Sequence, residues 1–479
     1  MVQAVLGHGA RGTGRPSPRR FLVPPCPTPY APCPVIDSFH ALLTPDIAES
    51  SSEHLEGVLR QRGLVFGDRP LCTVLRPRLM TAEEYASLQT RVLPLIRAFR
   101  RIHDRAMADV MFRRQFGLVD WEETLLAADP GYDTPTPTSR LDLFLVPGSQ
   151  SLGLTEYNAE TPAGAAYGDA LSDVFMDMPV MREFAKTHDL MPIPARHGVT
   201  GAVLGAWHEF HGSRARPRIA ILDWHDVPTR SEFELYQQQF RSMNIECVID
   251  DPRNVEYTGG KLIVHGAPAD VIYKRVLITE LVEQCGLESA VVRAVRERAV
   301  CMVDGFRCKI LHKKASLAVL SDEANADMFP HDEKLAIAGS IPWTRVVSER
   351  TTTWRGAAVD LVRLILDQRD RLVLKPNDDY GGKGITLGWT VDGATWEAAV
   401  KQALESPHIV QERVEIPSES YPSWVDGRVE FADRQYDTAP FITNASHMEG
   451  LLTRLATSPL LNVTAGGGST VPTFIARPR

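Results

Sequence analysis

The spacing of apolar residues changes period several times along the chain, and each change marks an element. From Thr81, apolar side chains at Tyr85, Leu88, Val92, Leu95, Ile96, Phe99, Ile102 and Met107 keep helical spacing as far as Phe116. Thr81-Ala82-Glu83-Glu84 is a capping-box sequence, Pro94 predicts a kink, and Gly117 is placed to close the helix. Two short runs, 140–146 and 152–158, then read as strands. The residues between them, Pro147-Gly148-Ser149-Gln150-Ser151, are turn formers flanked by apolar stretches. A hairpin symmetric about Ser149 sets Asp142 opposite Glu156 and Arg140 opposite Asn158, all four on one face at its open end. Phe144, Val146, Leu152 and Leu154 continue that face, and Leu141, Leu143 and Leu145 line the other. Small residues follow in 160–168, where backbone can approach a ligand or a helix closely. Helical spacing returns over 169–186 and 199–210.

Residues 217–286 alternate as an α/β unit, with strands at 218–223, 245–249 and 270–275, a helix at 231–243, and Gly259-Gly260 in a hairpin. Strand–helix–strand order implies a parallel sheet whose carboxyl ends carry binding groups. Asp223, Trp224 and His225 sit at one such end, Lys274 and Arg275 at another; salt bridges or a solvated edge are the competing account. A helix over 306–320 carries Arg307, Lys309, Lys313 and Lys314, with Lys309 and Lys313 sharing a face. Later a strand ends in Lys375 and runs into Pro376-Asn377-Asp378-Asp379-Tyr380-Gly381-Gly382-Lys383-Gly384, and a second strand begins at Ile385. Residues 408–414 form a strand with polar groups at its end, and 450–473 holds Arg454, Asn462 and Gly466-Gly467-Gly468.

A chain of 479 residues accommodates roughly two to four domains, or one large core with satellites. With 44% hydrophobic and 23% charged residues it has a globular composition. A net charge of −8 opposes a general nucleic-acid binder. No apolar run reaches the ~18 residues of a membrane span. Cysteines 26, 33, 72, 247, 285, 301 and 308 are odd in number and include no CxxC pair, which points to reduced thiols and a cytoplasmic location. Residues 1–35, rich in Gly and Arg and then Pro, read as a flexible tail without the apolar core of a secretory signal.

Two stretches carry candidate chemistry. Asp142, Glu156 and Asn158 are hard oxygen donors beside Arg140, the set a phosphate-bound Mg²⁺ requires. An internal salt bridge with a capping asparagine is the alternative. In the Lys375 segment, glycines let successive N–H groups converge on phosphate oxygens while the lysine supplies charge. No GK[ST] opens a helix and a strand follows the glycines, so neither a Walker A loop nor a Rossmann fingerprint fits. A two-strand flap over phosphates is the expectation.

Taken together, Arg140-x-Asp142, Glu156-Tyr157-Asn158-Ala159-Glu160-Thr161-Pro162, Lys309-Ile310-Leu311-His312-Lys313-Lys314, the Lys375 flap, Val410-Gln411-Glu412 and the late glycines resemble the circularly permuted ATP-grasp ligases. That group includes glutathionylspermidine synthase. The resemblance implies an α/β (α+β) class, a permuted ATP-grasp fold with a pre-ATP-grasp-like α/β domain. On that division, 36–215 is a helical region with the metal-binding hairpin, 216–300 the pre-ATP-grasp-like domain and 301–479 the nucleotide-binding portion. It further implies Asp142, Glu156 and Asn158 as Mg²⁺ ligands, and Arg140, Lys375 and Arg454 as catalytic groups. ATP would be held by Lys313 or Lys314, Lys375, Gly381, Gly382, Lys383 and Gly384, with Gln411, Glu412 and Val414 at an adenine hinge.

The activity implied is an ATP- and Mg²⁺-dependent ligase joining a small-molecule or peptide carboxylate to an amine through an acyl phosphate, with no nucleic-acid or membrane partner. No amidase domain with a nucleophilic cysteine precedes the ligase part, and the flap departs from the glutathionylspermidine enzymes, so polyamine specificity is not implied. A small-molecule kinase stopping at phosphoryl transfer and a non-catalytic ATP-binding or scaffold protein are the rival readings.

Overall fold

The computed structural model describes residues 34–149, 151–379, 381–457 and 468–479. Its largest sheet among these has seven strands and draws them from distant parts of the chain. Ser418–Val425, Arg428–Tyr436, His447–Ala456, Ala439–Thr443, Thr138–Leu145 and Leu152–Asn158 lie in that order, antiparallel throughout, and Ser469–Val471 pairs with His447–Ala456. The acidic hairpin therefore forms one edge of a sheet made mostly by the carboxyl-terminal part. Residues assigned by sequence to 36–215 and to 301–479 share this sheet.

The long helix Ala82–Ala108 packs under that hairpin. Its Leu88, Val92, Leu95, Ile96, Phe99 and Ile102 share one core with Leu141, Leu143, Leu152 and Leu154 of the hairpin and with Leu317 and Leu320 of helix Ala315–Ser321. The capping box forms as its sequence requires, Thr81 bonding the Glu84 backbone and Glu84 returning to the Thr81 N–H. The helix passes through Pro94 but stops at Asp109, short of the expected Phe116. The Asp109 carboxylate accepts from the Met111 and Phe112 N–H groups and restarts the chain as a separate turn, which Gly117 closes at φ 65. An aspartate that can cap is a competitor to helix continuation. The helix expected over 169–186 likewise divides, into Ala165–Asp177 and Pro179–Phe184, because Pro179 cannot continue the first and can start the second.

The α/β block folds as expected in kind. Cys301–Val303, Val271–Lys274, Ile219–Leu222 and Cys247–Asp250 form a four-stranded parallel sheet in that order. A third sheet carries the flap, in the order Thr344–Val346, His408–Glu412, Leu372–Pro376, Thr386–Leu387, all antiparallel. Trp396 on helix Gly393–Glu405 fills its core with Leu372, Leu374 and Ile365. Finally, Arg78–Met80, Thr473–Pro478 and His188–Pro192 make a small sheet from three remote segments.

The helix expected over 306–320 is broken into Phe306–Cys308, Lys309–His312 and Ala315–Ser321 by an extended ψ of 128 at Lys313. Helix Pro34–His40 takes the end of the stretch read as a tail, whose residues 1–33 lie outside the described ones. Asn462, Gly466 and Gly467 also lie outside them. Among the described residues no helix is long and apolar enough to cross a membrane.

Candidate active-site cleft

Arg140 pairs with Asn158 and Asp142 with Glu156, as expected, but the register shifts beyond Asp142, and nearest the turn Leu145, not Val146, meets Leu152. Leu143, not Phe144, meets Leu154, and Thr155 is the extra residue of a bulge, its Oγ1 donating to the Asp142 carbonyl at 3.2 Å. A bulge bends its strand and re-aims the side chains beyond it. Leu152 and Leu154 consequently enter the core with Leu141 and Leu143 instead of extending the carboxylate face. That face is left to Arg140, Asp142, Phe144, Thr155, Glu156 and Asn158, which line a cleft.

The flap closes the opposite side of the same cleft. Lys375, Gly381 and Gly382 come from the flap, Gln411 and Glu412 from the neighbouring strand, Val414 from just beyond it, and Arg454 from the large sheet. The enclosed and mouth space together measure about 990 Å³. Asp142 is gripped by Arg140 Nε and Nη2 at 2.7 and 3.1 Å and by Arg454 Nη2 at 2.7 Å. Burial works to protonate it, yet Arg140 and Arg454 hold its carboxyl well below the usual carboxylate range. Arg454 is shared with Asp437, which accepts from its backbone N–H and its Nε, each at 2.7 Å. Burial raises the Asp437 carboxyl against the pull of Arg454, and the charge on Asp142 adds to the rise.

Lys375 Nζ donates to Gln411 Oε1 at 2.7 Å and to the Thr155 carbonyl at 3.1 Å, while Gln411 Nε2 donates to Thr344 Oγ1 at 3.1 Å. Burial brings the Lys375 ammonium down to about 8, with Glu156 opposing the fall and Lys314 adding to it. Lys314 Nζ lies 2.9 Å from Glu156 Oε1. Arg140, Arg454, Lys314 and Lys375 bring four positive groups to the cleft against the carboxylates of Asp142, Glu156, Asp437 and Glu412, so its formal charges balance.

The break in the lysine helix separates two neighbours that helical spacing alone leaves equivalent. Lys314 turns toward Glu156, whereas Lys313 is buried against Glu122 Oε1 at 2.7 Å and Asp378 Oδ2 at 3.0 Å. Lys309 joins this second group, 2.7 Å from Asp378 Oδ1 and 3.4 Å from Glu160 Oε2. Polar atoms of Glu160, His312 and Asp378 lie within 4.8 Å of one another, but the Lys309 ammonium already supplies their positive charge. Burial lowers the neighbouring His312 imidazole to about 4.

Of the residues singled out in the sequence, Arg140, Asp142, Glu156, Asn158, Lys375, Gly381, Gly382, Gln411, Glu412, Val414 and Arg454 converge on the cleft. Lys314 reaches it through Glu156, Lys313 points elsewhere, and Lys383 and Gly384 are exposed outside its lining. Lys274 and Arg275, at the end of the parallel sheet, are buried and donate to the carbonyls of Glu160 and Pro162 at 3.1 and 2.7 Å. Their charge braces the loop after the hairpin. Asp437, Thr155 and Thr344 escaped the sequence reading, since each is placed by partners remote in the chain.

No protein-family model matches the chain, and no curated protein matches it. Among solved structures the chain is similar to a glutathione synthetase-like effector from Globodera pallida in its apo form. The two share 13% identity and a TM-score of 0.57 over 90% of this chain and 98% of that one. At that identity the likeness is one of fold, and this chain has a mixed α/β, glutathione synthetase-like fold.

Proposed function

We propose that this protein is an ATP- and Mg²⁺-dependent carboxylate–amine ligase of the circularly permuted ATP-grasp kind, with its metal hairpin preceding its flap. The observation that carries this reading is the convergence of the acidic hairpin and the glycine flap on one cleft, although more than two hundred residues separate them. The donor set fits the metal. Asp142, Glu156 and Asn158 are oxygen donors on one hairpin face, and the Asn158 amide nitrogen is buried without a partner. An amide and its flipped form have the same shape, so the carbonyl oxygen can take that position.

Mg²⁺ bound there would neutralise triphosphate charge and polarise the γ-phosphoryl group. Lys375, Lys314, Arg140 and Arg454 offset the remaining charge, and Asp437 keeps Arg454 in place when Asp142 is drawn to other partners. A substrate carboxylate oxygen attacks the γ-phosphorus and ADP leaves; an amine then attacks the acyl carbon and phosphate leaves. The flap keeps water from the acyl phosphate between the two steps.

The test is to incubate the protein with ATP, Mg²⁺ and pooled metabolites and to identify products by mass spectrometry. Phosphate released in step with a new amide is expected, whereas phosphate retained on a product would make the protein a kinase. Glu156→Gln and Asn158→Ala should each abolish turnover with the circular dichroism spectrum unchanged. Wild-type turnover in either variant would remove the metal assignment. Absence of any thermal shift with nucleotide and Mg²⁺ would favour a structural role for these charges.

A further inference from the structure

Three consecutive residues at the root of the flap are tied to the broken lysine helix. Asn377 accepts the Lys314 N–H on its carbonyl at 2.9 Å and the Ala315 N–H on its Oδ1 at 2.8 Å. Asp378 places its carboxylate on Lys309 Nζ, Lys313 Nζ and Thr279 Oγ1, at 2.7, 3.0 and 3.1 Å. Asp379 accepts Lys314 Nζ on its backbone carbonyl. Beyond these, Gly381, Lys383 and Gly384 are exposed, and Gly384 lies against Pro376.

The Asp378 pairing is a buried network with balanced charge. Glu122, Glu160 and Asp378 face Lys274, Lys309 and Lys313, with His312 among them. Glu160 also accepts the Ile278 N–H at the start of helix Ile278–Cys285, the helix that carries Thr279. Asp378 is the member of this network that belongs to the flap, and its side chain is 18% exposed where Glu122 and Glu160 are 1% and 0%. Removing one charge from such a group leaves a buried ammonium uncompensated.

We infer that Asp378 is a latch: its pairing with Lys309, Lys313 and Thr279 holds the glycine turn 381–384 closed over the cleft, and it acts as a positioning residue for nucleotide binding. This deepens the proposed function, but its first readout does not depend on it. Limited trypsin digestion of the full chain without nucleotide, followed by mass spectrometry of the fragment ending at Lys383, reports opening of the turn. Asp378→Asn should speed that cleavage roughly tenfold. Thr279→Val, which deletes one hydroxyl and no charge, should speed it by a smaller factor and guards against misfolding of the first variant. ADP with Mg²⁺ should slow cleavage of the wild type and do so less well for Asp378→Asn. Unchanged cleavage at Lys383 in both folded variants overturns the latch. Faster cleavage in the variants without nucleotide protection of the wild type keeps the latch and removes the nucleotide.

Discussion

At the scale of single residues, Lys375 makes the sharpest demand on experiment. Its ammonium is held at about 8 by burial, with Lys314 adding to the depression and Glu156 resisting it. A triphosphate favours the charged lysine, so binding weakens as pH rises through that value. Affinity for ADP with Mg²⁺, measured calorimetrically, should fall by about tenfold between pH 7 and pH 9, and Lys375→Arg should flatten the profile because arginine stays charged. The stability linkage has the opposite sign. Between about 8 and the ordinary lysine value of about 10.4 the unfolded chain binds more protons here, so this group's contribution to stability grows with pH across that window. A flat wild-type profile would remove Lys375 from the phosphate site. The cationic end of this residue was legible in sequence, since a strand ending in lysine before glycines has few other purposes. What set its proton affinity was not, because Gln411 reaches it from one other strand and Thr155 and Glu156 from a second, remote in the chain.

Elements show where local rules are overtaken. The expected pairing of Arg140 with Asn158 holds because two departures cancel: Leu145, not Val146, meets Leu152 at the turn, and the extra residue Thr155 restores the register at Asp142. Neither departure is written in the turn residues, and one extra residue reverses the facing of Leu152 and Leu154. Similarly, spacing puts Lys309 and Lys313 on one face, and they do share the Asp378 network, yet the break after Lys313 sends Lys314 to the cleft. The flap gives a prediction at this scale. Gly384 has φ +66, and a Cβ there would lie 2.6 Å from Pro376 Cγ, so Gly384→Ala must shift the turn against the strand it leaves. The strain is about 1–2 kcal/mol and confined to an exposed turn. A melting temperature lowered by less than about 3 °C should accompany a clear loss of nucleotide affinity. Undiminished affinity would show that the turn's shape is irrelevant to binding.

For the molecule as a whole, strand partnership cuts across the chain order that the sequence suggested. Boundaries at 215 and 300 follow the onset of the α/β rhythm, which is real, but hydrophobic rhythm carries no record of which strand pairs with which. Thr138–Leu145 bonds to Ala439–Thr443, so the face bearing Asp142 rests on strands some three hundred residues later. The small sheet repeats the theme, with Thr473–Pro478 between Arg78–Met80 and His188–Pro192 and Phe474 fully buried. A fragment spanning 301–479 would expose Phe441, Ile442 and Phe474, each at most 1% accessible in the whole chain, together with an unpaired sheet edge. Burying a side chain of this size is worth about 1.5–3 kcal/mol, which is comparable to a large share of a domain's net stability, and open edges invite aggregation. Expressed alone, 301–479 and 34–300 should each lack a cooperative thermal transition, while their co-expression should yield a soluble complex. A separately folded 301–479 with a cooperative melt would mean that the nucleotide half is autonomous and that the acidic hairpin docks on a sheet already complete without it.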